Sequence, residues 1–265
     1  MNDNRPVGLF DSGLGGLTVF EQVVNMLPRE SVVYFGDTAN VPYGGREVNE
    51  LVELGDRIIR FLMGKGVKYV LFACNTSSSV SIGILRERYP VPMIGLVRPG
   101  ARSAVAATRN KRIGILATEA TVKSGSYPEA IASIDPAVQI FSQAAPLLVP
   151  LVEGGRVETP EAKKALGAYL APFREAQIDT LVLGCTHYPF FAGPILQILG
   201  EKVAMVDPAV ATTAEARREI MQRGMQGGES QPRYEFYTSG DPEEFNRLAG
   251  LLSTRRLPGA IKVEI

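Results

Sequence analysis

The sequence predicts an α/β protein of two similar, pseudo-symmetric domains with mostly parallel sheets and an active site in the cleft between them. Three observations lead there. Short runs rich in Val, Ile and Phe recur along the 265 residues, with helically periodic stretches between them. Continuous apolar strands alternating with amphipathic helices form parallel sheets covered on both faces. Parts of this pattern occur twice, and a chain of this length suits one large domain or two of ordinary size.

Taken in order, the strand runs are "VGLF", "SVVYF", "KYVLFA" and "PMIGLV", then "RIGILA", "VQIF", "DTLVLG" and "VAMV". Helical periodicity is clearest over residues 47–63 and 160–174. "VGLFDSG" resembles "IGILATE", "VLFACNT" resembles "LVLGCTH", and "IGLVRPGA" resembles "AMVDPAVA". The offsets agree, at 106 for Gly8 to Gly114, 111 for Cys74 to Cys185 and 109 for Pro99 to Pro208. Each half therefore holds a strand that ends in cysteine. The prolines mark crossovers between the halves. Residues 1–97 with 208–265 are expected to form the first domain and residues 98–207 the second. Within the tail, "QRGMQGGESQP" reads as a loop before a final strand.

Composition excludes several classes of partner. The 28 basic and 28 acidic residues balance, with no block of like charge to track a nucleic-acid backbone or an anionic membrane. "MNDNRPVGLF" lacks a secretory pattern, and no apolar run approaches the ~20 residues that span a bilayer. A cytoplasmic protein with two reduced cysteines is expected, which leaves catalysis, metal binding or burial as their roles.

Ligands of parallel α/β sheets bind beyond the carboxyl ends of the strands. "DSGLGG" (residues 11–16) follows the first strand. Its Gly-rich turn suits an anion and partly matches a dinucleotide fingerprint, with Asp37 as a ribose ligand. Asp11 opposes that reading by placing negative charge where a pyrophosphate would lie, and Asp11 and Ser12 could equally cap the next helix. "ACNTSSS" puts Cys74 at a strand end before a helix, whose amino terminus is expected to lower the thiol pKa; the alternative is a buried cysteine acting as a small hydrophobe. "GCTHYP" repeats that layout with Cys185 and, at His187, the sole histidine. His187 lies close enough in sequence to exchange a proton with Cys185.

Three chemistries fit these residues. Cys74, Cys185 and His187, with Asp11 or another carboxylate, could ligate zinc. One cysteine with His187 could serve a thiol hydrolase, leaving the second thiol without a task. Two thiols facing each other across one carbon could remove a proton from one face and return one to the other, inverting an amino acid.

The segments "DSGLGG", "GDTANVPYG", "CNTSS", "ATEATVKSGSY" and "GCTHYP", in this order, resemble those of the glutamate racemases, a cofactor-independent family of bacterial cell-wall synthesis. The resemblance implies that Cys74 acts on D-glutamate with help from Asp11, and Cys185 on L-glutamate with help from His187 and from Glu153 in "PLVEGG". It implies that Ser12, Tyr43, Gly44, Asn75, Thr76, Thr118, Thr121 and Thr186 bind substrate. It further implies no metal or cofactor, a homodimer, and supply of D-glutamate for peptidoglycan.

Overall fold

The structure, a computed structural model, describes residues 2–228 and 231–265. Its first strands are β1 (Val7–Asp11), β2 (Val32–Gly36), β3 (Tyr69–Phe72) and β4 (Met93–Ile94). Next come β5 (Arg112–Ala117), β6 (Gln139–Ala144), β7 (Thr180–Gly184) and β8 (Ala204–Val206). Two more follow, β9 (Tyr234–Thr238) and β10 (Ile261–Lys262). They form two all-parallel sheets, ordered β10-β9-β2-β1-β3-β4 and β6-β5-β7-β8. The order β2-β1-β3-β4 in one sheet is the order β6-β5-β7-β8 in the other. Two α/β units of one topology therefore make up the chain, with β9 and β10 added to the first.

Alternation along the strands explains why both faces of each sheet are covered. Val7, Leu9, Val32, Tyr34, Tyr69 and Leu71 enter one apolar cluster of the first sheet, and Phe10, Val33, Phe35, Val70 and Phe72 enter the other. Each fully buried side chain of this kind contributes roughly 1.5–3 kcal/mol. Two further clusters flank the second sheet. Gly114 in β5 lets its cover pack closely, because a Cβ there would lie 2.6 Å from Ile178 Cδ1.

Two sequence expectations change in detail. The run "PMIGLV" is a strand only at Met93–Ile94, because Leu96 caps and Val97 opens a helix, Val97–Ala107, with Pro99 in its first turn. That helix leads from β4 to β5, and helix Pro208–Gln222 leads back from β8; the two meet where Gly100 faces Pro208. The tail adds two strands and helix Pro242–Leu252 rather than a single strand. Residues 229 and 230 of the expected loop lie outside the described residues.

A buried ion pair closes the bottom of the first unit. Lys68 Nζ lies 2.5 Å from Glu30 Oε2 and donates to the Asp3 carbonyl at 2.5 Å, while Glu30 Oε1 accepts from the Gly227 N–H at 2.7 Å. Both side chains are buried. Lys68→Met leaves a buried carboxylate without its cation, and urea unfolding should register a loss of about 3–5 kcal/mol. A loss below about 1 kcal/mol would show that water reaches Glu30 and that the pair is not a buried one.

Candidate active site

Strand order places the site. In each unit the chain turns from one side of the sheet to the other at its central pair of strands, β1 with β3 and β5 with β7, and a crevice opens beyond their carboxyl ends. Asp11 ends β1, and Cys74 follows β3 at the N-cap of helix Asn75–Val80. Thr118 follows β5, and Cys185 follows β7, where Ala117 pairs with Gly184. The two crevices face each other across a cavity of about 210 Å³. Its wall includes Cys74 from the first unit and Cys185 with His187 from the second.

Asp11 is wholly buried. Its Oδ2 accepts from the N–H groups of Gly16 at 2.8 Å and Gly13 at 3.2 Å, and from the Tyr34 hydroxyl at 3.0 Å. One oxygen thus ties down the Gly-rich turn, while Oδ1 has no hydrogen-bond partner in the protein. Burial pushes the Asp11 carboxyl up, against the opposing pull of the Gly16 N–H and of His187. Burial also pushes the Cys74 thiol up, and the negative charge of Asp11 adds to this. The expectation of a thiol lowered by its helix is therefore corrected. Ser12 and Ser77 do pull downward, but desolvation and Asp11 outweigh them.

The second side carries the opposite electrostatics. Cys185 Sγ lies 3.7 Å from His187 Nδ1, and His187 Nε2 lies 3.2 Å from Glu153 Oε1 at the end of helix Leu148–Glu153. Burial disfavours an imidazolium here, yet the hydrogen bonds to Cys185 and Glu153 prevail and push His187 up to about 10. Gly15 brings the turn of the first unit against this group. A Cβ at that position would fall 2.5 Å from both His187 Nδ1 and Thr186 Oγ1.

The remaining residues singled out in the sequence fall into two layers. Ser12, Tyr43, Gly44, Asn75, Thr76, Thr118 and Thr186 line the cavity. Asp11, Glu153 and Thr121 do not; each stands behind a lining group, with Thr121 joined to Thr118 by hydroxyls 3.0 Å apart. Two hydrogen bonds run directly between the units within this wall. Thr76 Oγ1 and Thr118 Oγ1 are 2.9 Å apart, and the Ala120 N–H donates to the Gly44 carbonyl at 2.7 Å.

Sequence reasoning missed an apolar wall and a brace. Val41, Pro42, Pro146, Val149 and Pro150 make one side of the cavity greasy, and only their places beside "YG" and "LVEGG" hinted at it. Asp37 is not a ribose ligand. Wholly buried, it accepts from Tyr43 at 2.5 Å, Asn40 at 2.9 Å and Ser239 at 2.6 Å, and so braces the loop that carries Tyr43 and Gly44. Thr38 is likewise 2.6 Å from Thr238, hydroxyl to hydroxyl.

A larger cavity of about 960 Å³ opens elsewhere, beside Arg86, Arg98, Arg102 and Glu219, and contains neither thiol nor the histidine. The chemistry therefore assigns the smaller cavity as the site. Among the described residues no three His, Cys, Asp or Glu side chains gather as metal ligands, and both cysteines are free. Nor is any helix among them long and apolar enough to cross a membrane.

Comparison with known proteins agrees with this geometry. Residues 15–216 match the family model for Asp/Glu/Hydantoin racemase. The glutamate racemase of Desulforudis audaxviator is 51% identical over 251 residues, 92% of each chain. That of Beutenbergia cavernae is 44% identical over 93% of this chain and 88% of its own. Among solved structures, the glutamate racemase isoform RacE1 of Bacillus anthracis superposes with a TM-score of 0.96 at 32% identity, covering 100% of this chain and 99% of that one. The Francisella tularensis glutamate racemase, solved in complex with D-glutamate, gives 0.93 at 30% identity over 99% and 98%. With its two facing thiols and its matched α/β units, the chain belongs to the Asp/Glu/Hydantoin racemase family, among the glutamate racemases.

Proposed function

We propose that the protein interconverts L- and D-glutamate by a two-thiol mechanism that needs no cofactor, with the cavity between the two units as the reaction chamber. One observation carries this reading: a cysteine from each unit lines the same small cavity, each with its own titratable helper. A thiol hydrolase would use one of them only.

The α-hydrogen of an amino acid is a very weak acid, and here no electron sink is called upon to delocalise the carbanion. In the D-to-L direction the Cys74 thiolate takes the α-proton, the electron pair remains on the α-carbon and its carboxylate, and the Cys185 thiol gives its proton to the opposite face. The L-to-D direction exchanges the roles. Asp11 is the group beside Cys74, and the His187–Glu153 pair manages the proton on the Cys185 side. Thr76, Thr186, Asn75 and Ser12 offer hydroxyl, amide and backbone donors to the substrate carboxylates, and the largely buried wall strengthens each such bond.

The motif resemblance supports the wider reading: a cytoplasmic homodimer that supplies D-glutamate for peptidoglycan. Sedimentation at micromolar concentration should return twice the chain mass of 28.6 kDa.

In D₂O the protein should exchange the α-hydrogen of either enantiomer and erase the optical rotation of L-glutamate. Cys74→Ser and Cys185→Ser should each lower kcat by about 10²–10⁴-fold. Near-normal racemisation by Cys74→Ser would defeat the two-thiol assignment.

The sole histidine makes its charge measurable without assignment. Its imidazole NMR signal should remain that of the cation at pH 8 and titrate near 10; a midpoint near 6.5 would remove the relay. Because the folded value lies above the ordinary one, the linked stabilisation is complete below pH 6.5 and fades as pH rises through about 10. His187→Asn should accordingly cost more stability at pH 6 than at pH 10.5.

A further inference from the structure

We infer that Tyr127 is a positioning residue: its hydroxyl fixes the Asn75 side chain so that the amide NH₂, rather than the amide oxygen, faces the substrate and receives one of its carboxylates. The inference rests on the reading of the cavity as a glutamate site and adds to it a residue of the second unit that dictates what the first unit can bind.

Tyr127 lies in helix Ser126–Ala132 and is wholly buried. Its hydroxyl donates to Asn75 Oδ1 at 2.7 Å, across the junction between the units. Asn75 follows Cys74, lines the cavity and is 3% exposed. Its Nδ2 is buried without any partner in the protein. Such an atom wants an acceptor, and the cavity is where one can arrive.

The direction of the amide follows from counting donors and acceptors. An asparagine side chain has one acceptor oxygen and an NH₂ with two protons, while a phenol has a single proton to give. Burial pushes the Tyr127 phenol well up, so that proton stays in place at any working pH. Asn75 Oδ1 is the acceptor it reaches. Turning the amide over would set NH₂ against the phenol and deprive the phenolic proton of the acceptor it now has; the helix at Gly100 packs close by, where a Cβ would stand 3.3 Å from the hydroxyl oxygen. The flipped amide would also aim its carbonyl at the substrate's carboxylate. With the phenol in place, Asn75 presents only donors to the cavity, and so accepts a carboxylate while refusing an ammonium.

Tyr127→Phe in the full-length protein removes one oxygen and keeps the ring. The KM for both enantiomers should rise about tenfold, the size expected for one hydrogen bond lost at a charged ligand, with kcat changed less than about threefold. Competitive inhibition by glutarate, which keeps both carboxylates and lacks the amine, should weaken by the same factor. Against an Asn75→Ala background, Tyr127→Phe should have almost no further effect on either quantity. Asn75→Asp should weaken glutarate more than Asn75→Ala does, since a carboxylate held by Tyr127 would repel the ligand.

An unchanged KM and glutarate constant in Tyr127→Phe would overturn the inference. So would an equal loss in the Asn75→Ala background, which would mean that the phenol acts through the fold. If the unaltered protein fails to turn over glutamate, the racemase reading falls instead, and glutarate binding to the same variants still decides the role of Tyr127.

Discussion

Everything in this molecule depends on two strand ends facing each other at the width of one small ligand. The hydroxyl contact between Thr76 and Thr118 marks the place, at 2.9 Å, and the Ala120 to Gly44 bond repeats it at 2.7 Å. Both bonds join the units at the cavity wall, the first through Thr76 and Thr118 and the second through Gly44. The relative placement of the halves and the shape of the site are therefore one variable. Gly15 belongs to the same constraint, because any side chain there would occupy the space of His187 and Thr186.

The pseudo-symmetry of the backbone is not shared by the charges. Cys74 is neighboured by a buried carboxyl, and Cys185 by a histidine that its two partners, against the effect of burial, hold near a value of 10. A carboxylate raises the affinity of a thiol for its proton. In the resting site this arrangement favours a protonated sulfur at Cys74 on the first side and a protonated imidazole at His187 on the second. The same topology has thus been furnished with opposite local fields, as suits two groups that face the two enantiomers of one substrate.

The fold was legible because parallel strands covered on both faces read as unbroken apolar runs. Cys74 and Cys185 were legible because such sheets use their carboxyl ends. The end of β4 was not, since Leu96 and Val97 are buried in a helix as fully as Met93 and Ile94 are in the strand. The exposed pair Ile261 and Lys262 carries no strand signal at all. Ser239 and Tyr127 escaped notice, and Asp37 was assigned the wrong role, for a different reason: each acts through another side chain, across 202 residues for Asp37 and Ser239 and 52 for Tyr127 and Asn75. The thiol of Cys74 was misjudged because a helix start can be read locally, whereas burial and the charge of Asp11 arise only when the chain has folded.

The brace on Asp37 has a consequence for the order in which the site comes into being. Its partner Ser239 follows β9, which pairs with β2 after the chain has passed through the whole second unit. A polypeptide emerging from the ribosome can complete β1 to β4, and then β5 to β8, before that strand exists. Both thiols are by then available, but the loop bearing Tyr43 and Gly44 still lacks the Ser239 hydroxyl among its anchors. Synthesis thus makes the reactive sulfurs before the last brace behind the substrate wall, which arrives only as the tail docks.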